Sequence, residues 1–208
     1  MSRSPKNFED LTSSPSLDNV LVGLSREGVS VKQRKIYIPS VSIESPLILS
    51  EFLDYIIEFG DKEKINDPVT LIIGTYGGES YGMFGMVDLI RNAPMPIDTL
   101  AVGAAFSAGA WILAAGTGVR RAYENAYIMI HQLRGGNDGT MHEMAQTTAH
   151  YKHMQKLSES LLAKFTNKDE KYWNRTCKKE HYITAEQALE VGVIDEIIYE
   201  KAKNVPKV

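Results

Sequence analysis

Val69-Thr70-Leu71-Ile72-Ile73-Gly74-Thr75-Tyr76-Gly77-Gly78 is the stretch on which the fold turns. Its first five residues are too continuously apolar for a strand with one wet face, and they run straight into a glycine-rich turn; a strand buried on both faces belongs to a parallel sheet covered by helices. Upstream, residues 35–39 alternate as a short strand. Ser45-Pro46 then supplies a helix N-cap followed by proline at the first helical position. Leu49, Phe52, Leu53, Ile56 and Ile57 form one apolar helical face, closed by Gly60. Downstream, Met83, Met86, Val87 and Ile90 mark a helix, residues 99–102 a strand, residues 108–115 an almost wholly apolar helix, and residues 127–130 a further strand. Strand and helix alternating across short glycine connections predict right-handed βαβ crossovers, hence an α/β protein with a mainly parallel sheet.

Beyond the last of these strands the character changes. Residues 133–139 are polar and glycine-rich, and Thr140 with Glu143 three residues on is a capping-box signature. Met144, Tyr151, Met154, Leu157, Leu161 and Phe165 keep a helical period for about seven turns, the pattern of an arm projecting from the sheet. Thr184 and Gln187 form a second capping box before Ala188, Leu189 and the stop Gly192, and residues 193–199 alternate as a closing strand. Residues 1–18 are Ser-, Pro- and Asn-rich and read as a flexible or removable leader. Residues 19–208 then form a single domain with the arm as a handle at about 132–166.

The 208 residues are 43% hydrophobic and 24% charged, enough to bury a core without disulfides or structural metal. With 23 Lys+Arg against 26 Asp+Glu the net charge is -3, too balanced for a chain whose affinity rests on neutralising nucleic-acid phosphates or anionic lipid. The single cysteine, Cys177, fits a reducing compartment, with the cytoplasm as the default. No apolar stretch approaches the roughly 18 residues of a membrane span, and the first residues lack the apolar centre of a secretion signal.

Ligands of open parallel sheets bind beyond the carboxyl ends of the strands. Gly77-Gly78, Ser107 and His131 all fall at such ends. Ser107 also stands immediately before the helix at 108–115, where free backbone N–H groups favour a developing negative charge. Together these are the parts of an acyl-transfer site. Taken singly, each has a structural reading too: the serine as an N-cap, the glycines as a tight turn, the histidine as a packing residue. His142, His150 and His153 lie on the long helix with no cysteine or carboxylate to complete a metal site, and read as solvated surface. No G-x-x-x-x-G-K-[ST] loop is present, which argues against nucleotide hydrolysis by this chain.

Three passages carry a resemblance: Gly77-Gly78; Gly103-Ala104-Ala105-Phe106-Ser107-Ala108-Gly109-Ala110 with Leu113-Ala114-Ala115-Gly116; and Ile128-Met129-Ile130-His131-Gln132 with Gly135-Gly136. In order and separation, from Pro68 to Tyr199, the sequence resembles the ClpP serine peptidases, the proteolytic subunits of Clp proteases. The resemblance implies a crotonase-like spiral of ββα units with a projecting helix-strand handle. It implies Ser107 as nucleophile, His131 as base, and the N–H groups of Gly78 and Ala108 as oxyanion donors. The third triad member falls 49 residues after the histidine, at Glu180, where the family usually has aspartate. Extended substrate would pair by β-addition between Gly77, Glu79 and Ser80 on one side and Leu133, Arg134 and Gly135 on the other. A heptameric ring, doubled to fourteen through the helix at 140–165 and a strand at 133–139, is implied, with an AAA+ Clp unfoldase supplying ATP hydrolysis, and with no metal or other cofactor.

The departures are specific. Thr75-Tyr76 precedes the glycines where the family has Ser-Pro, Leu133 replaces a proline after His131-Gln132, and Lys178-Lys179 replace an Asp-Arg pair that bridges the rings. Divergence of this kind suits a plastid, phage-encoded or duplicate copy, placing the chain in a plastid stroma or a host cytoplasm in the first two cases. Two rival readings use the same residues: a catalytically weak or inactive structural ring subunit, favoured by Glu180, and a crotonase-like acyl-CoA enzyme, against which Ser107 and His131 stand at peptidase spacing.

Overall fold

A computed structural model describes residues 29–31 and 33–200. The expected leader, residues 1–18, lies outside the described residues. β3 (Val69–Thr75) is buried on both faces and runs parallel to β2 (Lys35–Ile38) on one side and β4 (Ile97–Phe106) on the other. This is the environment its unbroken apolar run predicts. β1 (Val29–Ser30) joins β2 antiparallel.

β4 corrects the expectation of a four-residue strand followed by a loop. It runs for ten residues, and Gly103 sits in its middle with a φ of 70°, a left-handed conformation that glycine adopts without steric cost. Below Gly103, Thr99–Ala101 pair with β5 (Arg120–Tyr123); above it, Ala104–Phe106 pair with β6 (Tyr127–Ile130), both in parallel. One edge of one strand therefore serves two partners in succession. β5 carries β8 (Glu196–Ile198) in parallel, and β6 carries β7 (His181–Thr184) antiparallel. The result is a mixed α/β fold around a mostly parallel sheet, eight-stranded among the described residues. The closing strand is three residues long rather than the seven its alternation suggested.

α1 (Ser45–Phe59) buries Leu49, Phe52, Leu53 and Ile56, whereas Ile57 is 37% exposed and turns off the expected face. Ser45 is the first helical residue rather than the cap: its Oγ accepts the Ser42 N–H at 2.9 Å, and Glu44 holds the N-cap position with no side-chain bond. α2 (Ser80–Asn92) packs Met83, Met86, Val87 and Ile90 into the core. α3 (Ala108–Ala114) is buried along its whole length, as its apolar sequence requires. Truncating Trp111 at its centre to alanine would cost about 3–5 kcal/mol.

The handle helix, α4 (Met141–Phe165), begins with the expected Thr140–Glu143 capping box. Its packed face is Met154, Ser158, Glu159 and Leu162, rotated from the expected one, so that Leu157 is exposed. The Trp111 indole N–H donates to the Ser158 carbonyl at 2.8 Å and fastens this half of α4 to α3. No described residue of the first three turns is buried. Residues 133–139, expected as a strand, form none, and hydrogen bonds that involve side chains hold the segment. Gln155 Oε1 accepts the Leu133 N–H at 2.8 Å, and the Asn137 amide donates to Met144 O at the same distance. α5 (Glu170–Thr176), which anchors Trp173 in the core, was not expected; α6 (Ala185–Glu190) follows the predicted Thr184–Gln187 capping box.

Candidate active site

Register brings the central pair together. Phe106 is opposite Met129 in the β4–β6 ladder, so the residue after the first and the second residue after the other emerge side by side. The Ser107 N–H donates to the Met129 carbonyl at 2.8 Å, holding the two strand ends. Ser107 then takes φ 51° and ψ -127°, a left-handed φ that costs an ordinary residue about 1–3 kcal/mol and persists only where surrounding structure enforces it. This kink presents the hydroxyl to His131, whose Nε2 lies 2.9 Å from Ser107 Oγ.

His131 is half-buried, and burial pushes its pKa below the ordinary histidine value. A hydrogen bond with the Gln132 backbone opposes that shift, the positive charge of Arg134 adds to it, and Glu180 opposes it. The net direction keeps the imidazole neutral near pH 7, the form that accepts a hydroxyl proton.

Gly77 and Gly78 stand beside the serine with φ of 105° and 155°. A Cβ on Gly77 would lie 2.6 Å from Ser107 Cβ, and one on Gly78 only 1.8 Å from the Val41 carbonyl oxygen. No side chain fits at either position. Val41 clamps the turn by donating to Gly77 O and accepting from Glu79 N. The N–H groups of Gly78 and Ala108 donate to no partner among the described residues, which leaves two donors beside Ser107, one of them at the start of α3.

Glu180 is close enough for its charge to act on His131, but its oxygens are engaged elsewhere. Oε1 pairs with the Arg134 guanidinium, and Oε2 accepts the Tyr182 hydroxyl at 2.9 Å. The Tyr182 and Arg134 contacts, in that order, hold its carboxyl below the usual carboxylate range. Among the described residues no hydrogen bond joins Glu180 to His131, so Ser107 and His131 form a pair and the acid stands beside it.

Two cavities that share Gly78, Ser80, Leu133 and Arg134 in their linings lie at this site. The smaller, about 240 Å³, contains Ser107, Ala108, His131 and Tyr76. The larger, about 1190 Å³, runs from Gly78 between Glu79–Ser80 and residues 133–137 toward α4. Of the expected substrate-contacting residues, Glu79, Ser80, Leu133, Arg134 and Gly135 line this groove; Gly77 packs beneath Ser107 instead. Glu79 also turns its carboxylate to the Ile43 N–H at 3.1 Å. His150, expected as solvated surface, is exposed, and its ring meets the Tyr81 hydroxyl at 2.7 Å.

Sequence reasoning missed a row of three aromatic residues that begins beside the serine. Tyr76 packs on Phe106 with centroids 5.6 Å apart, and Phe106 meets the edge of Tyr182 at 5.5 Å. The one signal available was the departure at Tyr76, ahead of the glycines.

No helix among the described residues is long and apolar enough to cross a membrane. The family described as Clp protease matches residues 47–201, well over half of the 208 residues and the whole of the Ser107–His131 neighbourhood, and the chain belongs to that family.

Proposed function

We propose that this chain is a serine endopeptidase and the proteolytic core of an ATP-dependent Clp-type protease. The observation that carries the reading is His131 Nε2 at 2.9 Å from the hydroxyl of Ser107, beside two free backbone donors. Ser107 Oγ attacks the scissile carbonyl while its proton passes to His131 Nε2, and the oxyanion rests on the N–H groups of Gly78 and Ala108. The C–N bond then breaks as Nε2–H protonates the departing amine, leaving an acyl-serine. Water repeats the sequence, its proton going to His131, and the acid product is released with Ser107 restored. Glu180 is the acidic member, able to face the imidazolium once its carboxylate leaves Arg134.

Substrate is an unfolded polypeptide laid as a strand between Glu79–Ser80 and Leu133–Gly135, where main-chain pairing gives little side-chain preference. Residues 133–139 without a strand partner suit this role and the pairing of a second ring. Family membership supports a heptameric ring, its doubling, and an AAA+ unfoldase as the source of ATP hydrolysis, and the compartment of this reading is the cytoplasm or a plastid stroma.

A fluorophosphonate probe tests the chemistry. The intact protein should gain one adduct, located on Ser107, and Ser107→Ala should neither label nor cleave short fluorogenic peptides. Turnover by Ser107→Ala at the wild-type rate would end this assignment. A catalytically weak ring subunit is the second reading, favoured by one observation, the capture of both Glu180 oxygens by Arg134 and Tyr182. An assembled ring that does not label would establish it.

A further inference from the structure

Tyr76, Phe106 and Tyr182 form a continuous aromatic surface against the nucleophile. Phe106 is its chain neighbour, Tyr76 directly precedes the Gly77–Gly78 turn, and the rings are mutually fixed at 5.6 and 5.5 Å, the second pair edge to face at 84°. Tyr182 is tethered further by its hydroxyl to Glu180. Yet Tyr76 is 82% exposed, an unusual place for a large ring that packs on another aromatic. It lines the small cavity that holds Ser107 and His131 and takes no part in the long groove.

We infer that this surface is a specificity shelf for the residue on the amine side of the scissile bond, selecting large apolar and aromatic side chains there. The inference rests on the peptidase reading and deepens it. A carbonyl oxygen seated on the Gly78 N–H places the acyl segment along the edge that Gly78 begins, through Glu79 and Ser80 into the groove. What lies beyond the attacked carbon must leave in the other direction, toward Tyr76 and Phe106. An aromatic or long aliphatic side chain there covers the Tyr76 face and meets rings already held in place, so little side-chain freedom is lost on the protein side. A glycine or aspartate gains nothing from the same surface.

The test is a digest of one unfolded polypeptide mixture by the assembled wild-type protein and by Tyr76→Ser, with every new terminus identified by mass spectrometry. Wild type should favour Phe, Tyr, Trp, Leu and Met over Gly and Asp after the cut by about three- to tenfold, the span that aromatic contacts of this kind supply. Tyr76→Ser should reduce that ratio to about twofold or less, with the preference before the cut unchanged. Tyr182→Ser, which removes the opposite end of the shelf, should reduce it in part. Equal ratios in wild type and both variants would overturn the shelf, as would a loss of selectivity confined to the residue before the cut. Wild-type protein that labels at Ser107 but cuts without preference overturns the shelf alone; protein that neither labels nor cuts overturns the peptidase reading as well.

Discussion

Glu180→Gln, made with and without Arg134→Gln, asks which partner the Glu180 charge serves. A carboxylate hydrogen-bonded to the far ring nitrogen of a catalytic histidine stabilises the imidazolium formed on proton transfer, and losing it costs about 10² to 10⁴ in kcat. In the structure that contact is absent. The Glu180 side chain is 40% exposed, pairs with Arg134, and reaches His131 only through space. A unit charge at about 4 Å in near-aqueous surroundings is worth about 1 kcal/mol, and a guanidinium alongside offsets much of that. Glu180→Gln in the otherwise wild-type protein should therefore lower kcat by less than about tenfold, with KM little changed. Arg134→Gln leaves the Tyr182 hydroxyl as the remaining side-chain partner of the carboxylate and removes the positive charge that opposes the imidazolium, so in that background Glu180→Gln should cost at least about tenfold more. The two substitutions are then strongly non-additive. Steady-state rates on a fluorogenic peptide suffice, compared between assembled species of equal size because Lys178 and Lys179 adjoin the site. A 10²-fold or greater loss from Glu180→Gln with Arg134 intact would show that Arg134 does not compete with His131 for the carboxylate, and the argument from the resting geometry would fail.

Because burial lowers the His131 pKa, the neutral base persists to lower pH, and the acid limb of kcat/KM should have its midpoint below about 6.5, the unperturbed histidine value; a midpoint above 7 in a pH-rate profile contradicts the assigned environment. Trp111→Phe keeps the ring but loses the 2.8 Å bond to Ser158 O, leaving a buried carbonyl without that donor, and should cost about 1–3 kcal/mol in denaturant unfolding with the C-terminal half of α4 losing amide protection first. Cys177 is buried and its thiol is pushed up to about 12, so it should resist an aromatic disulfide reagent at pH 8 and react fully once the protein is unfolded.

What was legible in the sequence, and what was not, divides by the range of the interactions. β3, α1, α3 and both capping boxes were readable because burial on two faces, a helical apolar stripe and a hydroxyl three residues from a carboxamide or carboxylate are local patterns. β5 was missed because Arg120-Arg121-Ala122-Tyr123 has no apolar alternation: its arginines are consumed by Asp195, Asp98 and Glu196, partners far along the chain. α5 was missed because a seven-residue helix with one buried ring, Trp173, shows no period. The upper half of β4 was read as loop for the opposite reason, since Gly103-Ala104-Ala105 looks like a connection and becomes a strand only because β6 arrives to pair with it.

The same division runs through the site. Ser107, His131 and the two glycines were singled out from position at strand ends, and the parallel register of Phe106 with Met129 makes the meeting of Ser107 and His131 a consequence of the fold. Glu180 was placed by counting from the histidine, which fixes its neighbourhood but not its partner. Neighbourhood follows from the antiparallel β6–β7 ladder, in which Ile130 lies opposite His181 and so brings residue 180 beside residue 131. The partner is decided by competition among charges converging on one spot, and there Arg134, from a segment whose proline is replaced by Leu133, meets the carboxylate first. The backbone thus sets where Ser107 and His131 meet, whereas the surroundings of Glu180 are set by two side chains, the Arg134 guanidinium and the Tyr182 hydroxyl.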